Sequence, residues 1–162
     1  MLLRLATEFR TADRAFRAHI VRTLLAAGGR GALSWARVAE PDQLLRRVKT
    51  VYDAGNARDR ALALRMFGCL ADIAKDSVHV RSLVLASLGA TSALEVRVAL
   101  FAAGCVCRLS VDFSRIILEV LRRLICSRRS EPQVILAAIK AFPKLDCWKT
   151  DGSRHTGRCV QS

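Results

Sequence analysis

Slid along itself by 36 residues, the sequence falls into step. Asp59, Leu64, Gly68 and Cys69 land on Glu95, Leu100, Gly104 and Cys105, and one further step sets Glu131, Val134, Leu136 and Ala138 on Glu95, Val98, Leu100 and Ala102. A weaker copy lies upstream, where Asp13-Arg14-Ala15 matches Asp59-Arg60-Ala61 at a spacing of 46, with Gly28-Gly29-Arg30-Gly31 and the residues after it taking up the excess. Self-similarity at a fixed period of this length implies a solenoid, in which each unit buries its apolar face against its neighbours.

The best copy of the unit, Leu94 to Leu109, reads as one helix. Thr91 and Ser92 are available as N-caps, Glu95 falls in the first turn where the helix dipole favours an anion, and Ser110 with Asp112 closes the segment. Val96, Ala99, Leu100, Ala103, Val106 and Cys107 recur at three- and four-residue steps, and Ala102, Gly104 and Cys105 leave most of the other faces small and apolar. Only Glu95, Arg97 and Arg108 carry charge, so the helix is expected to be covered on two sides.

An apolar content of 52% with 25% charged residues is that of a folded chain, and 162 residues suffice for one domain or a short array. Aromatics are only 6%, while Ala and Leu abound, which favours closely packed helices over sheets. The longest uninterrupted apolar run, Val98 to Cys107, is too short to span a bilayer, and no signal peptide is evident. The six cysteines do not form a disulfide framework. Four of them lie in helical segments at otherwise apolar positions, as free buried thiols in a reducing compartment would.

Read in order, the pattern predicts antiparallel helix pairs in four units, residues 1–27, 41–74, 77–109 and 112–145. Leu2 to Phe9 is amphipathic. Thr11 or Asp13 then caps a second helix reaching Ala27, with Phe16, Ile20, Leu24 and Ala27 facing inward, stopped by Gly28-Gly29. Pro41 opens a helix to Ala54 with Leu44, Leu45, Val48, Val51 and Tyr52 as its apolar set. A helix from about Arg58 to Ala74 follows, then Val78 to Leu88 capped by Asp76-Ser77, the central helix, Phe113 to Cys126 capped by Asp112, and a last helix from Ser130 to about Ala141. Residues 146–162 show no periodicity and read as a disordered tail.

No constellation for catalysis emerges. His19, His79 and His155 are not paired with a nucleophile, and Gly28-Gly29-Arg30-Gly31 lacks the Lys-Ser/Thr and the preceding strand of a phosphate loop. Cys147, His155 and Cys159 have the residue types of a zinc site without Cys-x-x-Cys spacing. The reading is a non-enzyme without cofactor or metal.

What remains is surface. The net charge of +13 arises from 22 Arg and 5 Lys against 14 acids, a balance that attracts phosphate polymers, acidic proteins or anionic lipid. Arg46, Arg47 and Lys49 on one helix, and Arg122, Arg123, Arg128 and Arg129 on and after another, occupy the same position of the unit. Stacking would align them into a basic stripe, either a contact site for an acidic partner or phosphate backbone, or simply the charged outer face that solenoids carry.

Two helices per roughly 40 residues is the form of a HEAT/armadillo-like repeat. Glu95-Val96-Arg97-Val98-Ala99 followed by Ala102-Ala103-Gly104 resembles that family's second helix. A more specific resemblance lies in Arg60-Ala61-Leu62-Ala63-Leu64-Arg65-Met66-Phe67-Gly68-Cys69-Leu70-Ala71-Asp72-Ile73, in Val80-Arg81-Ser82-Leu83 and in Glu95 to Ala103. These runs are similar to the N-terminal helical-repeat region of the Integrator complex subunit 7 family, over about Leu2 to Ile125.

That resemblance implies an all-α solenoid and a non-catalytic scaffold role in the nucleus. Its partners would be other Integrator subunits and, indirectly, the RNA polymerase II assembly, in small nuclear RNA 3′-end processing and transcription regulation; no membrane is involved. Family members are much longer, so the chain is expected to be a fragment or truncated product. The alternative from another class is a basic helical-repeat module that binds RNA or DNA directly through the stripe.

Overall fold

The computed structural model describes residues 2–28, 40–126 and 131–141. Those residues form helices α1 (Leu2–Thr11), α2 (Arg14–Gly28), α3 (Pro41–Ala54), α4 (Ala57–Cys69), α5 (Ala71–Ala74), α6 (Val78–Leu88), α7 (Ala93–Cys107), α8 (Val111–Cys126) and α9 (Pro132–Ala141). They pack as two layers. One stacks α2 on α4, α4 on α7 and α7 on α9; the other runs α1, α3, α6, α8, and each of these packs on a mate in the opposite layer, α1 on α2, α3 on α4, α6 on α7 and α8 on α9. This is an all-α solenoid, as the period requires.

The central helix is the most enclosed. Ten of the fifteen residues of α7 are buried, and they cover more than one face, because α4, α6, α8 and α9 all lie against it. The core is continuous from Ala6 and Phe9 through Leu64, Phe67 and Leu100 to Phe113, Ile117 and Ala138. At ~25 cal/mol per Å² of apolar surface, burial of this kind is the main force holding successive units together.

Local chemistry sets the helix starts. Of the two candidates for α2 the cap is Asp13, whose Oδ1 accepts from the Phe16 amide at 2.7 Å. Asn56 Oδ1 accepts from the amides of Arg58 and Asp59, and Ser77 Oγ from that of Val80. The α8 cap differs from the expectation: Ser110 Oγ accepts from the Phe113 amide, while Asp112 lies inside the first turn, where its charge still complements the dipole. Ser110 thus opens α8 instead of closing α7. Ser130, expected to cap the last helix, is outside the described residues, as are residues 146–162.

Three further expectations are corrected. The helix expected over Arg58 to Ala74 breaks at Leu70, whose φ of −95° and ψ of 22° turn the chain into the four-residue α5 while its side chain stays buried. Phe16, expected inward, is 49% exposed, since nothing among the described residues covers the outer face of α2. Cys126 is exposed rather than buried, at the last residue of α8.

Candidate interaction surface

Of the basic residues singled out from the sequence, the described ones lie on α3 and α8 of the same layer but have different occupations. Arg46 is exposed and has no ion-pair partner among the described residues. Arg47 is half-buried and turned toward α1, where its guanidinium donates to the Leu3 carbonyl at 2.9 Å and to the Thr7 hydroxyl. Lys49 pairs with Asp53 one turn on. Arg46 and Lys49 also rim a groove of about 160 Å³ between α3 and α6, with Asp42 and His79 on the same rim and Leu45 and Val80 beneath.

On α8, Arg122 grips Glu119 through two bonds of 3.1 Å and Arg123 adds a third at 3.0 Å. These bonds hold the Glu119 carboxyl down at about 2, so it stays ionised at any ordinary pH. Both guanidinium groups remain largely open to solvent beyond that contact. Arg128 and Arg129 lie outside the described residues. The structure therefore puts α3 and α8 in one layer with α6 between them, and uses Arg47 to fasten α1.

A second set of polar contacts joins one repeat to the next. Glu95 is almost wholly buried, and its Oε2 accepts from Arg60 Nε at 2.9 Å. Its Oε1 lies at the long distance of 3.5 Å from the Tyr52 hydroxyl, which shares a 2.7 Å bond with the Ser87 hydroxyl. Upstream, Asp59 takes Arg14 at 3.2 Å and Arg17 at 3.4 Å. The Arg14 side-chain bond is the main cause holding the Asp59 carboxyl below the ordinary range. Downstream, Arg97 donates to Gln133 Oε1 at 2.7 Å. The Arg14–Asp59, Arg60–Glu95 and Arg97–Gln133 contacts each join neighbouring helices of one layer, while Tyr52 reaches Glu95 from the other layer; at Asp59 and Glu95 the recurring acid of the repeat is a register peg. The recurrence of the acid at Asp59 and Glu95 and the Asp13-Arg14 and Asp59-Arg60 match hinted at this in the sequence, but the pairing itself depends on which helices stack.

The Cys69 thiol is not a ready nucleophile. Burial and the neighbouring Cys105 push the Cys69 thiol up to about 12, so it stays protonated near neutrality. Cys69 and Cys105 line a groove of about 490 Å³ at the C-terminal ends of α2, α4 and α7, together with Leu25, Phe101 and Arg108. Among the described residues no three His, Cys, Asp or Glu side chains converge as metal ligands, and no helix is long and apolar enough to cross a membrane. Cys147, His155 and Cys159 are outside the described residues.

Stacked helix pairs, a continuous inter-repeat core and pegs between units define the class of helical-repeat solenoids. Comparison with protein families is more specific. The model of the family described as Integrator complex subunit 7, N-terminal, matches residues 1–147, and the chain belongs to that family. None of the curated proteins compared with the chain matches it.

Proposed function

We propose that the chain works as a non-catalytic scaffold within the Integrator complex, holding other Integrator subunits through the outer faces of its helix layers. The observation that carries this reading is the family match across residues 1–147, which coincides with the two-layer array. A solenoid of this kind offers extended surface at low structural cost, because each unit needs only its neighbours. Residence in the nucleus and a part in small nuclear RNA 3′-end processing and RNA polymerase II regulation follow from membership of that assembly.

Direct binding of RNA or DNA is the second reading, supported by the net charge of +13 and by the exposure of Arg46, Arg122 and Arg123. It predicts affinity that falls steeply with salt and with charge reversal at these positions. The engagement of Arg47 with α1, and of Arg122 and Arg123 with Glu119, weighs toward the scaffold. Affinity purification of the tagged chain from nuclear extract, with and without nuclease, separates the two. Integrator subunits retained after nuclease support the scaffold; partners lost with the nucleic acid overturn it.

A further inference from the structure

The two layers are not equally tight. In one, small residues let α4 and α7 approach until a Cβ on Gly68 would meet the Phe101 ring at 2.6 Å and the Ala102 Cα at 3.4 Å. In the other, Leu45, Arg46 and Lys49 of α3 and Leu83 of α6 line the gap, and the two helices stay apart although their mates α4 and α7 share the most extensive contact among the described residues. Small residues on one side of a stacked unit and long ones on the other open a wedge. That wedge is the groove of about 160 Å³ between α3 and α6.

Its floor is aliphatic: Leu45 is 4% and Val80 2% exposed, with half-buried Leu83 as a wall. The volume lies below the roughly 300 Å³ at which cofactor and drug-sized sites begin, so the slot takes one aliphatic side chain and little more. Arg46 and Lys49, three residues apart and hence on one side of α3, stand at the mouth. Arg46 is exposed and joins no ion pair among the described residues, although Asp42 lies one turn before it on the same rim. Lys49 is held by the solvated pair with Asp53, an interaction weak enough for a second carboxylate to replace.

Two cations and one acid over an aliphatic floor suit a peptide better than a nucleic acid. A phosphate chain carries one sign of charge and meets Asp42, and its bases find no Phe, Tyr or Trp to stack on among the described residues lining the groove. A peptide offers carboxylates to Arg46 and Lys49, a backbone N–H to Asp42 and an apolar side chain to the floor. We propose that the α3–α6 groove docks a short acidic segment of a partner protein, one Leu-sized side chain filling the slot and the carboxylates beside it meeting Arg46 and Lys49. The net charge of +13 draws such segments toward the chain, and the slot selects the one with an aliphatic anchor. This deepens the scaffold reading and rests on it for the kind of partner.

The test is a fluorescence-anisotropy titration of the full chain against a labelled Asp-Glu-Leu-Asp-Glu peptide, the same peptide with alanine in place of leucine, and a single-stranded oligonucleotide. Wild type, Arg46→Glu and Arg22→Glu are compared; both positions are exposed, Arg22 lies on α2 in the opposite layer, and circular dichroism verifies that each variant folds. The leucine peptide is expected to bind about tenfold more tightly than its alanine version. Arg46→Glu should weaken it by about tenfold, and Arg22→Glu, with the same change in net charge, by no more than about twofold. Equal binding of the two peptides overturns the proposal, as does equal loss in the two variants, which would mean diffuse attraction. Tighter binding of the oligonucleotide that is lost in Arg46→Glu also overturns it and assigns the groove to a phosphate chain.

A second arm keeps the two readings apart. Wild type and Arg46→Glu are recovered from nuclease-treated nuclear extract, and the retained proteins are identified by mass spectrometry. An Integrator subunit held by wild type and lost from Arg46→Glu supports the groove. The same subunits on both overturn the groove and leave the scaffold standing, whereas none on wild type overturns the scaffold and leaves the peptide titration to decide the groove.

Discussion

Arg60 on α4 meets Glu95 on α7 at 2.9 Å, across the most extensive helix contact among the described residues, with the Glu95 side chain 3% exposed and that of Arg60 35%. The acid is buried because α7 is covered from several sides, and it is tolerable there because a guanidinium and the Tyr52–Ser87 hydroxyl pair reach it.

Removing the arginine therefore costs more than the bond itself. Arg60→Ala leaves the Glu95 carboxylate buried without its cation, and after allowing for the solvent that reaches Arg60 we expect a loss of about 2 kcal/mol. Glu95→Gln, which keeps the shape and accepts a hydrogen bond, should cost less than Arg60→Ala. Urea unfolding followed by circular dichroism measures both; equal stability of Arg60→Ala and wild type would show that the pair contributes nothing.

Gly68→Ala is a steric test of the same interface. Its new methyl would sit 2.6 Å from the Phe101 ring edge, so either the ring or the helix must move. Overpacking of this sort costs roughly 1–3 kcal/mol. Phe101→Leu in the Gly68→Ala background should recover part of the loss, and a double-mutant cycle of melting temperatures reads that coupling.

Arg47 is expected to matter for folding whether or not it touches a partner. Arg47→Ala frees the Leu3 carbonyl and the Thr7 hydroxyl, loosening α1 from α3. A loss of about 1 kcal/mol is expected. Faster amide exchange in residues 2–11 than in α7 would place the effect, whereas Arg46→Ala should leave exchange unchanged.

Acid sensitivity follows from Asp59. Its carboxyl is held below the unfolded value of about 3.9, so above that pH the ion pairs with Arg14 and Arg17 contribute fully. As pH falls through the folded value the unfolded chain binds the extra proton first and stability drops. Asp59→Asn should therefore flatten the loss of stability below about pH 4 while lowering stability at neutral pH. An unchanged acid limb would sink this assignment. Glu119, held at about 2 on the open surface, is screened by solvent and should respond mainly to salt.

Alkylation separates the thiols. Cys126 is exposed, Cys107 is buried, and the Cys69 thiol is held protonated to about 12. Iodoacetamide at pH 8 on the native chain should label Cys126 well before Cys69 and Cys107, as peptide mass spectrometry would report. Equal labelling would mean that the α4–α7 contact opens on the reaction timescale.

The solenoid and the placing of α3, α6, α7, α8 and α9 were legible in the residues because periodicity, Pro41 opening α3 and Ser77 capping α6 are local signals, whereas the cap of α8 was not read correctly. The break at Leu70 was not, since its apolar side chain continues the helical pattern while the backbone turns. Nor was the role of Glu95: a first-turn acid predicts a dipole contact, and only the stacking of α4 on α7 brings Arg60 to it. Of the basic positions, the sequence placed Arg46 and Arg47 side by side without distinguishing them, and the fold sends one outward and the other under α1.

By itself, then, the order of residues determined the all-helical class, the 36-residue unit and the excess of positive charge, all of which depend on composition and on neighbours within a few turns. Tertiary structure decided which acids met which arginines and which thiols were shielded. It also decided which apolar side chains stayed exposed, Phe16, Leu136 and Ile139 among them. Those outcomes rest on contacts between residues 35 to 45 positions apart, and whether such residues touch is set by how helices stack, which periodicity along one helix does not encode.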